Sequence, residues 1–159
     1  MSLNNKSCFC CSELPFEKCC QPMVKGEQKA SNAEVLMRSR FTAYVLKDYS
    51  YILNTYAEAQ RLQLTVEELS QSAQSTDWLS LQVVNLRAEI TSSQVEFKVY
   101  YKADNCFYVM HELSDFILEK DNWRYTTGEM LESSGEIKPE RNRQCLCGSG
   151  KKFKKCCGR

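Results

Sequence analysis

Apolar residues recur at helical spacing in residues 31–76 and at strand spacing in residues 77–127. Ser31-Asn32-Ala33-Glu34 offers helix-start residues, and Met37, Phe41, Tyr44 and Val45 follow at i, i+4, i+7 and i+8. That stripe predicts an amphipathic helix. After Lys47-Asp48 a second stripe, Tyr49, Ile52, Leu53 and Tyr56, keeps the same period, and Thr65-Val66-Glu67-Glu68-Leu69 reads as the capped start of a short third helix. From residue 77 the runs become β-rich: Trp78 to Glu89, Val95 to Lys102, Phe107 to Leu118 and Trp123 to Thr127. Thr91-Ser92-Ser93, Ala103-Asp104-Asn105 and Lys120-Asp121-Asn122 separate them, and short polar turns between long strands predict an antiparallel meander. Helices first and a curved antiparallel sheet afterwards is the α+β order, with helices packed on one face of the sheet and a pocket between the layers.

Outside this middle the cysteines change the picture. Cys8-x-Cys10-x8-Cys19-Cys20 and Cys145-x-Cys147-x8-Cys156-Cys157 are the same pattern, the second copy 137 positions after the first, and together they take eight of the ten cysteines. Four thiolates suit a closed tetrahedral Zn²⁺ site. A Cys-x-Cys step presents two sulfurs on one tight turn, and the adjacent pair closes the shell where the backbone bends sharply. Gly148-Ser149-Gly150 supplies turn residues in the second copy, Cys11-Ser12-Glu13 stands there in the first, and Phe16 and Phe153 fall at matching places, each expected to cover the metal from one side. The reading is residues 1–24 as one knob, 25–137 as the middle domain and 138–159 as a second knob. The knobs are too small to fold on apolar burial alone and should need their metal.

Competing readings of these thiols are weaker. The stretch Met1 to Ser7 is polar and no apolar segment follows it, so a secretory disulfide framework is not indicated. A thioredoxin-like redox site would want Cys-x-x-Cys beside a βαβ unit. Iron stays open beside zinc, because sulfur-rich sites accept several soft metals. Cys11 competes with Cys10 as a ligand, and Cys106 reads as an ordinary strand or turn residue.

The run Cys145-Leu-Cys147-Gly-Ser-Gly-Lys-Lys-Phe-Lys-Lys-Cys156-Cys157-Gly resembles the SEC-C motif, the zinc-binding tail of the SecA preprotein translocase motor. The first copy keeps the ligand spacing without the Gly-Ser-Gly. Two such motifs, with Leu36-Met37-Arg38-Ser39-Arg40-Phe41 after the first and His111-Glu112-x-Ser114-x-Phe116 before the second, resemble the bacterial YchJ family. The resemblance implies zinc on both cysteine sets and a middle domain like nuclear transport factor 2; it implies no established reaction.

Composition adds limits. With 43% hydrophobic and 26% charged residues the chain reads as an ordinary soluble protein, and no apolar run suits a membrane span, which makes the cytoplasm the expected location. Charge is polarised. Residues 138–159 carry eight Lys or Arg against one Glu, while residues 30–137 carry nine basic against sixteen acidic. Lys151, Lys152, Lys154 and Lys155 are therefore candidates for binding an acidic partner: by the SecA resemblance an export chaperone, or the ribosome. A solvated tail, or a tail docked on its own acidic middle, is the plainer reading. No recognition-helix pattern accompanies the lysines, so sequence-specific DNA reading is not expected.

Candidate pocket residues are His111, Asp115, Glu112, Arg38 and Arg40. Strand alternation puts His111 and Asp115 on one face and Glu112 and Ser114 on the other, and both parities carry apolar residues, so the inward face stays open. His111 and Asp115 would make a base and its orienter if they lined a pocket. No activated nucleophile is identifiable, and a metal-binding adaptor is favoured over a small-molecule binder or enzyme. Exposed helix arginines are mostly solvated, and Trp78 and Trp123 read as packing residues.

Overall fold

The structure is a computed structural model that describes residues 6–159; residues 1–5 of the expected first knob lie outside it. Helices α1 (Gln21–Val24), α2 (Ala33–Leu46), α3 (Tyr49–Asn54), α4 (Glu58–Arg61) and α5 (Val66–Ala73) precede strands β1 (Asp77–Ala88), β2 (Ser92–Ala103), β3 (Cys106–Glu119), β4 (Asn122–Met130) and β5 (Gly135–Ile137).

The helix ends follow from local chemistry. Asn32 Oδ1 accepts from the Val35 N–H at 2.9 Å to start α2, and Lys47 ends it in the left-handed region at φ 59°. The next residue, Asp48, accepts from the Tyr51 N–H at 3.0 Å, so α3 begins at once and folds back on α2. Thr65 and Glu68 form a reciprocal capping box on α5.

The sheet is antiparallel in the order β1-β2-β3-β4, and β5 takes the stretch Phe107–Val109 on the edge of β3 that β4 has left. Asp104-Asn105 and Lys120-Asp121 turn the two tight hairpins with φ of 49° and 63°, and 49° and 64°, the signature of type I′ turns that match the strands' twist. Register slips between Trp78 and Ser80 and between Val83 and Asn85 in β1, and again near Asp115 in β3, bend the sheet. The α+β architecture of helices on a curved antiparallel sheet is therefore the observed one.

Pairing settles which face is inward. Val95, Phe97 and Val99 of β2 stand opposite Ser114, Glu112 and Met110 of β3, and the buried ones pack with Leu81, Phe116, Leu36, Met37 and Phe41. Even-numbered residues of β3 face the helices. His111 and Asp115 face the other way.

Helix α2 departs from a simple amphipathic stripe. Residues 39–43 are buried without a break, and successive helix residues step by about 100°, so no solvent side remains there. The sheet covers one side. Ser39 Oγ meets Tyr51 Oη at 2.6 Å on the α3 side, and the N-terminal cysteine knob covers a third, with Cys8 Sγ 3.9 Å from Thr42 Oγ1.

Candidate metal centres and the cleft

The two cysteine arms fold as copies of one another. Cys8 N–H donates to Leu14 O and Cys145 N–H to Lys151 O; Cys19 N–H donates to Phe16 O and Cys156 N–H to Phe153 O. Each arm carries a single 3-10 turn, Phe16–Lys18 or Phe153–Lys155, and leaves it through a bent residue, Cys19 at ψ −100° or Cys156 at ψ −111°. That bend turns the adjacent cysteines toward one point. Gly148 and Gly150 hold φ of 76° in the second copy, whereas Cys11 and Glu13 take the same left-handed positions at 63° and 67° in the first, a conformation that costs a side chain about 1–2 kcal/mol.

Cys8, Cys10, Cys19 and Cys20 bring their sulfurs within 4.8 Å of one another, as do Cys145, Cys147, Cys156 and Cys157. A tetrahedron with metal–sulfur bonds of about 2.3 Å has sulfur–sulfur edges of about 3.8 Å. The structure has Cys10–Cys19 at 3.6 Å, Cys19–Cys20 at 3.9 Å and Cys147–Cys156 at 3.5 Å, so both sets fit one tetrahedral ion. Cys10 belongs to the cluster with no exposed surface, whereas Cys11 is exposed and its thiol turns to Phe9 O.

Crowding divides the protons unevenly. Hydrogen bonds from Cys10 and Cys20 hold the Cys8 thiol far below its ordinary range, and burial pushes Cys19 up to about 11. In the second set hydrogen bonds from Ser149 and Cys147 bring Cys156 down to about 7, while burial raises Cys157. A cation would replace those protons with one shared charge. Ser12 and Ser149, also 137 positions apart, place their hydroxyls 3.1 and 3.4 Å from Cys19 and Cys156 Sγ and orient the sulfurs from outside the shell.

The knobs are seated differently. In the first, Cys8, Cys10 and Cys20 are part of the main hydrophobic cluster, and Arg38 Nη1 donates to Cys10 O at 2.9 Å while its Nε donates to Glu34. Arg38 is thus the brace between knob and α2. The second knob sits on the outer face of the sheet, where Phe153 meets Phe107 edge-on at 5.2 Å and Ser80 Oγ donates to Leu146 O at 2.5 Å. Phe16 instead packs edge-on against Phe9 within its own knob at 5.5 Å. Lys151, Lys152, Lys154 and Lys155 are exposed, and among the described residues none joins an ion pair.

A cleft of about 370 Å³ lies between α2, α5 and the inner face of the sheet. Arg40 and Glu112 line it; His111, Asp115 and Arg38 do not. For the two strand residues the inward parity of β3 is the reason, and Arg38 lies on the side of α2 turned to the first knob. On the outer face His111 Nε2 meets Glu96 Oε1 at 2.7 Å and its Nδ1 meets Ser133 Oγ at 2.5 Å, and Asp115 Oδ1 accepts from Gln94 Nε2 at 2.9 Å. These two are therefore not a base and orienter inside the cleft. Glu112 Oε1 accepts from Ser114 Oγ and Tyr125 Oη at 2.6 and 2.9 Å, which adds to burial, the larger effect, in raising the Tyr125 phenol. Gly128 gives that carboxylate its room: a Cβ there would stand 1.8 Å from Glu112 Oε1. Trp78 lines the cleft, between Tyr44 and Tyr101, whereas Trp123 packs at the margin of the core.

Comparison with known proteins agrees with this architecture. The profile of the YchJ middle domain, described as like nuclear transport factor 2, matches residues 32–128, and the SEC-C motif matches residues 141–159. A Vibrio cholerae UPF0225 protein is 34% identical over 154 residues, covering 96% of this chain and 99% of its own. This chain belongs to the YchJ family. A Shewanella UPF0225 protein is 38% identical, with 97% of each chain covered. Among solved structures, a SEC-C motif-containing protein from Psychrobacter arcticus is 32% identical with a TM-score of 0.69, covering 96% of both chains. Another from Rhodopseudomonas palustris is 28% identical with a TM-score of 0.76, covering 80% of this chain and 100% of its own.

For this YchJ-family chain, spacing alone revealed the cysteine sets but not their seats. Arg38 as a brace, the Gly128 notch under Glu112 and the paired Ser12 and Ser149 went unread. Only the last had a sequence signal, a serine shared by both copies at one offset. Among the described residues no helix is long and apolar enough to cross a membrane.

Proposed function

We propose that this protein is a zinc-binding adaptor whose first knob staples the middle domain and whose second knob docks on an acidic partner, such as an acidic protein surface or the ribosome. The observation that carries this reading is the second knob's division of labour. Phe153, Ser80 and Cys145 seat it, while four exposed lysines around the 3-10 turn stay free of ion pairs among the described residues. A cluster of four thiolates on one divalent ion carries about two negative charges, and the lysines surround it with the opposite sign, leaving a compact basic surface.

The test is co-sedimentation of the full chain with washed ribosomes, beside binding to immobilised polyglutamate, across a salt series. Wild type should bind one of the two saturably and lose affinity as salt rises. A variant with Lys151, Lys152, Lys154 and Lys155 all changed to Glu should not bind, with an unchanged circular dichroism spectrum. Equal binding by that variant overturns the docking role. Metal content by mass spectrometry should give about two zinc ions per chain; iron in their place would correct the metal.

A further inference from the structure

Arg40 is 4% exposed, yet it forms no ion pair among the described residues. Its Nη1 donates to Thr55 Oγ1 at 2.5 Å and Ile52 O at 3.3 Å, and the rings of Tyr56 and Tyr125 lie 4.7 and 4.3 Å from its central carbon. Rings over a guanidinium leave its N–H edge for hydrogen bonds, and those other N–H groups have no partner among the described residues. A buried cation of this kind is costly unless an anion meets it. The cleft also holds a buried donor, the Trp78 indole N–H, that meets no acceptor among the described residues.

Glu112 is the acidic residue on the lining, and among the described residues it forms no ion pair with Arg40. Ser114 and Tyr125 hydroxyls hold its Oε1, and the Gly128 notch lets it lie against β4. It holds the hydroxyl of Tyr125, whose ring lies beside Arg40. One wall is aromatic: Tyr44 and Trp78 have centroids 5.4 Å apart, as do Trp78 and Tyr101. A space of about 370 Å³ is at the small end of ligand pockets.

We propose that the cleft binds a small aromatic carboxylate, its carboxylate on the Arg40 guanidinium and its ring on the wall of Tyr44, Trp78 and Tyr101. Bidentate guanidinium–carboxylate pairing supplies the missing anion, and stacking supplies the fit. This site is independent of the docking role of the second knob.

The experiment titrates benzoate, phenylacetate and indole-3-acetate into the full chain by calorimetry, each beside its neutral amide. At least one acid should bind saturably, with its amide weaker by about tenfold or more. Arg40→Lys should weaken it about as much, because a point charge replaces a fork. If Arg40→Lys unfolds, Ser72→Trp, at the exposed rim of the cleft, should block binding without disturbing the thermal transition. Failure of all three acids, equal binding of acid and amide, or undiminished binding by Ser72→Trp overturns the proposal.

Discussion

Cys20→Ser and Cys157→Ser remove the same ligand from the two copies, and the seats of the knobs predict unequal damage. In the first knob, Cys8, Cys10 and Cys20 share one buried cluster with Leu36, Met37 and Phe41. Opening it loses burial worth two or three core side chains, about 3–9 kcal/mol at about 1.5–3 kcal/mol each. A domain's whole margin is about 5–15 kcal/mol, so the loss reaches the middle domain itself. Among the described residues the aromatic and hydrogen-bonding ties of the second knob to the sheet are one edge-on ring pair and one hydrogen bond, each about 0.5–1.5 kcal/mol, for a coupling of about 1–3 kcal/mol. At roughly 4 °C per kcal/mol, Tm of the middle domain should fall on the order of 12–36 °C in Cys20→Ser and 4–12 °C in Cys157→Ser. Far-ultraviolet circular dichroism melts in zinc-replete buffer, with limited proteolysis to locate the opened segment, read both numbers. Equal falls, or a larger one in Cys157→Ser, would refute the idea that the first knob is part of the core.

Two further outcomes follow from local geometry. Cys11→Gly and Glu13→Gly relieve left-handed backbone at φ 63° and 67° and should each stabilise the first knob by about 1 kcal/mol, seen as slower zinc release to a chromogenic chelator; faster release would contradict it. Burial pushes the Tyr44 phenol up to about 12, so the folded state keeps that proton after the unfolded chain begins to lose it. Its stability contribution is complete below about pH 10 and should be lost as pH rises from there toward about 12; thermal melts across this window should show the fall, and Tyr44→Phe should reduce it.

What the sequence disclosed was local. Asn32, Thr65 and Glu68 announced helix starts because their side chains act within one turn, and the short polar runs at Asp104-Asn105 and Lys120-Asp121 announced hairpins because they interrupt long β-rich runs. The inward face of β3 was hidden for a specific reason. Its outer face is not bare: Phe153 of the second knob meets the Phe107 ring and Ser133 meets the His111 ring there, so apolar residues appear on both parities. Likewise α2 looked one-sided because nothing local says that Thr42 lies under a cysteine 34 positions earlier. Cysteine spacing gave the ligand sets, since a closed shell constrains spacing, while Arg40 could be separated from Arg38 only by knowing what each side of the helix touches.

The slipped register of β1 bears on whether a second chain could continue the sheet. Among the described residues strand β1 pairs only with β2, which leaves its other margin without a strand partner there, with Val84 and Leu86 exposed. An open margin of twelve residues invites a second chain to continue the sheet. Here the ladder is interrupted around Leu79 and Val84, so backbone donors and acceptors keep regular spacing only over short stretches between the slips. An approaching strand would need two matching insertions to follow it. The same irregularities that curve the sheet over its cleft therefore act as a guard against edge-to-edge polymerisation.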